Sequence, residues 1–246
     1  NINQSPMRYF ICDDSGSMMA KDGERYDENT SDIIKCSRWD ELLDTIKFQI
    51  DISNKGLINS KFMFLNAPPL KVGTEFLEED KYSPCFNLSG GGTPLCRTLN
   101  QIIDEIKPVS QYYYQNRKFI VIVISTDGVS SDGDIQVPLR ELKNLPVKII
   151  LRLCTNDNSV VDYWNQIDTD LELKLDVVDD YVNEARELAN INPWLTYGLP
   201  LHRIREYGLV SHDIDGLDEM RTDNSSITKI ARVIFGKDNV IENTIL

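Results

Sequence analysis

What this chain has little of narrows its chemistry first. It holds two histidines, His202 and His212, and five cysteines with no Cys-x-x-Cys pair among them, so a zinc centre built from imidazole and thiolate is not expected. Cys12, Cys36, Cys85, Cys96 and Cys154 are odd in number and widely spaced, which points to free thiols in a reducing compartment. No apolar run approaches the ~18 residues that a membrane-spanning helix needs. Asn1-Ile2-Asn3-Gln4 carries neither the basic patch nor the apolar stretch of a secretory leader. No membrane insertion and a cytoplasmic location are therefore the expectations. Basic residues are outnumbered, 26 Lys and Arg against 39 Asp and Glu, for a net charge of -13. Phosphate contacts need clustered Lys and Arg, so nucleic acid is not an expected partner. A Walker-type Gly-x-x-x-x-Gly-Lys-Ser/Thr loop is missing as well.

What is present reads as an α/β chain. Hydrophobic residues make up 41% of 246, ample for a core. Met7 to Cys12 (MRYFIC) is a short apolar strand that ends abruptly in Asp13-Asp14-Ser15-Gly16-Ser17. Residues 20–36 are polar and read as an exposed insertion. Ser37 is placed to cap a helix whose apolar positions run from Trp39 to Ile50, with Asp40 three residues on. Lys61 to Leu65 is a second strand, and 66–88 reads as loops with short edge strands. Ser89-Gly90-Gly91-Gly92-Thr93-Pro94-Leu95 is a glycine turn before a helix through Ile106. Lys118 to Ser125 (KFIVIVIS) is the strongest strand, its β-branched run that of a strand covered on both faces. Helices follow near 135–144, 159–167 and 180–190, with strands at 147–153 and 173–178. This alternation predicts a doubly wound, mostly parallel central sheet flanked by helices, Rossmann-like in plan. After Asn192-Pro193 the alternation stops, and 193–246 reads as a short helical C-terminal extension, one helix covering 225–235.

Three loops carry the chemistry: Asp13-x-Ser15-x-Ser17, Gly92-Thr93 and Thr126-Asp127-Gly128. The first and third follow strands, and open parallel sheets bind ligands beyond the carboxyl ends of their strands. Asp13 and Asp127 are therefore expected to converge. The ligand set is two carboxylates and three hydroxyls, all oxygen, which suits a hard cation: Mg²⁺, or Ca²⁺ or Mn²⁺. Such a site does not fill a six-oxygen shell, so one position is expected to stay open to solvent. Glycines 90–92 let the second loop come close without a Cβ clash.

Asp13-Asp14-Ser15-Gly16-Ser17-Met18, then Gly92-Thr93-Pro94, then Thr126-Asp127-Gly128, resembles the metal-ion-dependent adhesion site of von Willebrand factor type A domains. The resemblance covers about residues 6–190, and the order and spacing of the loops fit as well. It implies that Ser15 and Ser17 ligate the cation directly. It further implies that Thr93, Asp13 and Asp127 ligate it directly or through water. The implied fold is a mostly parallel sheet with one antiparallel edge strand, wrapped by helices. The expected division is 1–192 as the type A-like domain, with 193–246 as the extension packed on it. The insertion at 20–36 and the tail depart from the family pattern.

The implied function is a protein-binding module for adhesion or assembly that captures an Asp or Glu of a partner protein through the cation. No His, Lys or Glu within the motifs is placed to move a proton, so the chain is not expected to be an enzyme. The alternative is Mg²⁺-dependent phosphoryl transfer with Asp13 as nucleophile and Asp127 holding the metal. Against it, the pattern of that chemistry has Asp-x-Asp, and position 15 is Ser. A third reading is a scaffold with a vestigial metal loop. Plain readings are preferred elsewhere. Asp14 is expected to be solvent-exposed, Ser130 to Asp134 to be a helix-capping turn rather than a calcium loop, and Tyr112 to Tyr114 to lie in a loop packed on the body. Trp39, Trp164 and Trp194 are expected in the core, and His202 and His212 are expected to be surface or packing residues.

Overall fold

The apolar runs become the middle of a sheet. In the computed structural model, which describes residues 7–27, 30, 32–155, 157–173, 175–208, 217 and 220–235, the first elements are β1 (Arg8–Cys12), the pair β2 (Gly23–Asp27) and β3 (Asp32–Cys36), and α1 (Arg38–Lys55). There follow β4 (Ser60–Phe64), β5 (Leu70–Val72), α2 (Glu79–Tyr82), α3 (Leu95–Ile106), α4 (Ser110–Gln115), β6 (Ile120–Thr126) and α5 (Gln136–Leu142). Then come β7 (Val147–Leu153), α6 (Asn158–Leu171), β8 (Asp176–Val178), α7 (Tyr181–Ile191), α8 (Leu199–Glu206) and α9 (Asn224–Phe235).

Six strands form one sheet in the order β5-β4-β1-β6-β7-β8. All pairings are parallel except β5 on β4, which is antiparallel at the edge. This is the mixed α/β, mostly parallel architecture expected, down to the antiparallel edge strand. The strand order reverses on either side of β1, whose Cys12 lies level with Phe64 of β4 and Ser125 of β6. The loops that leave β1 and β6 therefore begin side by side, at the point where parallel sheets bind ligands.

Alternation along β1 assigns the two faces. Tyr9 and Ile11 join Ile122, Ile124, Leu151 and residues of α3, α5 and α6 in one cluster, with Trp164 buried among them. On the opposite face Phe10 stacks on Phe62, ring centroids 4.7 Å apart, and α1 lies over it. Ser37 caps α1 as predicted. Its hydroxyl accepts from Asp40 N–H while the Asp40 carboxylate accepts from Ser37 N–H, a closed capping box.

The expected exposed insertion is a β-hairpin, β2 on β3, in antiparallel register from Gly23↔Cys36 to Asp27↔Asp32. Tyr112 and Tyr114 are exposed on the short helix α4, and only Tyr113 packs against the core. All five cysteines are free. Among the described residues no helix is long and apolar enough to cross a membrane.

The chain divides into two units, Asn1–Asp180 with Glu206–Gly208, and Tyr181–Arg205 with Leu209–Leu246. The division thus falls after Asp180 rather than after residue 192. Leu188 of α7 buries itself with Tyr197, Leu201, Leu217 and Ile230 of the second unit, which accounts for the placement of α7 there. In that unit His202 is buried and hydrogen-bonded to the Tyr197 hydroxyl, whereas His212 lies outside the described residues. Trp194 corrects an expectation. It is 45% exposed, its indole N–H donating to Asn192 Oδ1 and the Thr222 hydroxyl.

Glu206–Gly208 rejoins the sheet unit through dense polar contacts. Arg152 of β7 is fully buried between the carboxylates of Glu41 and Glu206. Glu206 also accepts from the Thr45 hydroxyl at 3.1 Å, and its carbonyl accepts from Gln49 of α1 at 3.1 Å. Tyr207 packs on Phe10 and shares a 3.1 Å hydrogen bond with Ser53. Gly208 has φ +73, and a Cβ there would lie 2.5 Å from Val121 Cγ1. No other residue type fits against the sheet in that conformation.

Candidate metal centre

The first loop is built on the end of β1. Asp13 N–H donates to Ser125 O at 3.0 Å, continuing the β1–β6 pairing by one more residue. The Asp13 side chain is wholly buried and both its oxygens are engaged: Oδ1 accepts from Ser15 N–H at 3.0 Å, Oδ2 from the Thr126 hydroxyl at 2.6 Å. Burial pushes this carboxyl above its ordinary value. The Ser15 and Thr126 hydrogen bonds hold it back, and the nearby Asp127 carboxylate adds to the rise.

Ser15 then opens a short 3₁₀ turn, Gly16–Met19. Its hydroxyl lies 3.0 Å from that of Ser17, and the Ser17 hydroxyl donates to Asp127 Oδ1 at 2.9 Å. Four of the five residues singled out from the sequence are thus joined: Asp13, Ser15, Ser17 and Asp127. Ser17 is exposed while Asp13, Ser15 and Asp127 are buried, so the hydroxyl of Ser17 marks the solvent side.

The fifth residue, Thr93, is held by backbone. Gly16 N–H donates to Gly91 O at 3.1 Å and Gly90 N–H to Asp14 O at 2.9 Å, tying loop two to loop one. Thr93 N–H donates to the Ser131 hydroxyl at 3.0 Å, and Ser131 N–H returns a bond to Thr93 O at 2.9 Å, tying loop two to loop three. One residue on, the Asp132 carboxylate accepts from Cys96 and Arg97 N–H at 3.0 and 2.9 Å, capping the first turn of α3. The 130–134 segment is therefore a capping turn, and the helix it caps is α3 as well as α5, where Asp134 accepts from Gln136 N–H.

Asp14 reverses its expectation. It is wholly buried, because Asn66 clamps Oδ1 with its backbone and side-chain N–H groups at 2.8 and 3.1 Å. The same Asn66 side chain donates to Gly92 O at 2.9 Å. Gly91, at φ +106, lets this happen, since a Cβ would lie 2.6 Å from Asn66 Oδ1. Asp14 Oδ2 is buried without a hydrogen-bond partner.

Two further residues had no signal in the motifs. One is Asn66. The other is Arg38, the first residue of α1, whose Nη1 donates to Asp127 Oδ2 at 2.8 Å while Nε and Nη2 grip both oxygens of Asp22 at 2.7 and 2.6 Å. These bonds, to Asp22 first and then Asp127, raise the guanidinium further above its ordinary value, and they hold the Asp22 carboxyl below its own.

The residues fit a hard cation by donor chemistry. They offer two carboxylates and hydroxyls with no nitrogen or sulfur, and the loop already contains one buried carboxylate oxygen with nothing donating to it. Among the described residues no three His, Cys, Asp or Glu side chains gather as a metal-binding group. Any ion here would therefore depend on the serine and threonine hydroxyls.

No protein-family model matches the chain, and no curated protein matches it. Among solved structures it is similar to an aerotolerance-related membrane protein from Bacteroides fragilis NCTC 9343 with multiple mutations to serines, at 14% identity over 61% of this chain and 67% of that one, TM-score 0.42. It is also similar to the conserved hypothetical protein BatB from Bacteroides thetaiotaomicron, at 12% identity over 84% of this chain and 100% of that one, TM-score 0.48. At those scores neither likeness carries an argument about this chain. Its own strand order and pairing are what establish a mostly parallel α/β sheet with the three loops at its carboxyl edge.

Proposed function

We propose that this chain is a divalent-cation-dependent protein-binding module that captures an Asp or Glu side chain of a partner protein. The observation that carries the reading is the chain of contacts from Ser15 through Ser17 to Asp127, above a buried Asp13. In this reading Ser15, Ser17, Thr93, Asp13 and Asp127 hold Mg²⁺, with Ca²⁺ or Mn²⁺ as substitutes. The bound ion supplies a positive charge and an open coordination position that accepts the partner's carboxylate. The protein's residues do the rest. The hydroxyls would contribute neutral oxygens to such an ion, and Asp13 and Asp127 would supply the negative charge. The Ser131, Asp132 and Asn66 bonds fix the three loops before any ligand arrives, which lowers the ordering cost of binding.

Catalysis is not part of the proposal. Asp13, the one candidate nucleophile, is buried with both oxygens hydrogen-bonded, and no His lies in the three loops.

The test is calorimetric titration of Mg²⁺, Mn²⁺ and Ca²⁺ into chelator-treated protein, beside the Asp13→Ala/Asp127→Ala double variant. One bound cation in the wild type and none in the variant is the expected result. Peptide panning in Mg²⁺ is then expected to enrich sequences containing Asp or Glu, and the enrichment is lost in chelator. Cation binding that survives the double variant, or no binding by either protein, overturns the reading.

A further inference from the structure

We infer that Arg38 is a tethered positive charge that takes the cation's place against Asp127, and so sets the cation concentration at which the centre loads. This rests on the metal reading above.

The Asp127 side chain is almost inaccessible, 1% exposed, and a buried carboxylate needs a compensating charge. Here the guanidinium of Arg38 provides it at 2.8 Å, on the oxygen that Ser17 leaves free. Arg38 is not a loose surface side chain. Its backbone is the first residue of α1, held inside the capping box between Ser37 and Asp40, and its outer edge is pinned in two bonds to Asp22. One guanidinium is thus shared by a buried carboxylate of the centre and an exposed carboxylate leading into the β2–β3 hairpin. The fork geometry of arginine serves both partners at once, which a lysine cannot do.

Two consequences oppose each other. In the metal-free protein Arg38 relieves the repulsion between Asp127 and Asp13 and stabilises the empty loop. Against an arriving divalent ion the same charge is repulsive, and at this range it weakens cation affinity by at least about tenfold. By linkage, anything that stabilises the metal-free form alone raises the loading concentration.

The experiment is Mn²⁺ and Mg²⁺ calorimetry, with thermal unfolding in chelator and in saturating Mg²⁺, on wild type, Arg38→Gln, Arg38→Lys and Asp22→Asn. Arg38→Gln is expected to bind cation about tenfold more tightly. It is also expected to melt lower than wild type in chelator, with that deficit shrinking in Mg²⁺. Arg38→Lys, which keeps the charge, is expected to stay within about threefold of wild type, and Arg38→Met takes the place of Arg38→Gln if that variant does not fold. Asp22→Asn leaves the Asp127 pair in place and is expected to give no tightening. If wild type binds cation and Arg38→Gln binds it equally or more weakly, or melts lower by the same amount in both conditions, Arg38 is only a structural anchor and the inference fails while the metal reading stands. If Arg38→Lys departs from wild-type affinity as far as Arg38→Gln does, charge is not the property that matters and the inference also fails. If wild type binds no cation, both fall together.

Discussion

A carboxylate placed out of reach of water is a standing cost, and Asp13 is one: fully buried, with Asp127 nearby to raise its energy further. Asp13→Asn keeps the shape and removes the charge. In chelator it is expected to stabilise the protein by on the order of 1 kcal/mol, about 2–4 °C in Tm for a chain this size, while abolishing cation binding. A gain in thermal unfolding paired with a loss in calorimetry is the signature of a group kept for function at the expense of stability. A parallel loss in both would mark Asp13 as a plain structural residue. At this scale the sequence conveyed which residues carry oxygen ligands, because side-chain type and spacing are local facts. It did not convey burial. Asp14 looked solvent-exposed because an acid usually is, yet Asn66, fifty-two residues away, closes over it. Arg38 gave no signal, since it lies eighty-nine residues from Asp127 and only the folded chain brings them together.

Among the elements, the turn after β6 does the most to hold the centre. Asp132 fixes the start of α3 and Ser131 fixes Thr93, so loops two and three are stapled to each other. Although burial works against it, the Ser130 hydroxyl and the Arg97 and Cys96 N–H groups hold the Asp132 carboxyl below its ordinary value. Its contribution is therefore present above the ordinary carboxylate range, near pH 4, and is lost as the pH falls through the lowered folded value. Asp132→Ala is expected to cost about 0.5–1 kcal/mol at neutral pH, the low end for a cap because the group is exposed. Urea unfolding should show that difference fading in acid; a deficit unchanged at low pH would show that charge plays no part. The longer helices α1, α3, α5, α6 and α7 and the inner strands were legible from periodicity, and the Ser37 cap from its Asp40 partner, whereas the short α2 and α4 fall where loops were expected. The β2–β3 hairpin was not legible, because its strands are short, polar and only partly buried; β5 falls where a short edge strand was expected, but its pairing with β4 is a tertiary fact.

For the molecule as a whole, the parallel sheet followed from the alternation of runs and its antiparallel edge strand from the resemblance, whereas the return of Glu206–Gly208 to the sheet unit followed from neither. Nothing in the local pattern marks three residues near a glycine as part of a core laid down far upstream. Their hold centres on Arg152. Arg152→Met would remove the guanidinium that pairs with both Glu41 and Glu206 and is expected to destabilise the protein by about 3–5 kcal/mol. Chemical denaturation measures it, and a change under 1 kcal/mol would mean that water reaches those carboxylates. The same return sets a timetable during synthesis. Every strand of the sheet has been translated by Val178, yet one of its faces waits for Glu206, Tyr207 and Gly208, which leave the ribosome only after Tyr181–Arg205 of the other unit. A nascent chain therefore carries Arg152 without Glu206 for that interval, and the sheet unit is finished by residues that follow a stretch of the other unit in the chain.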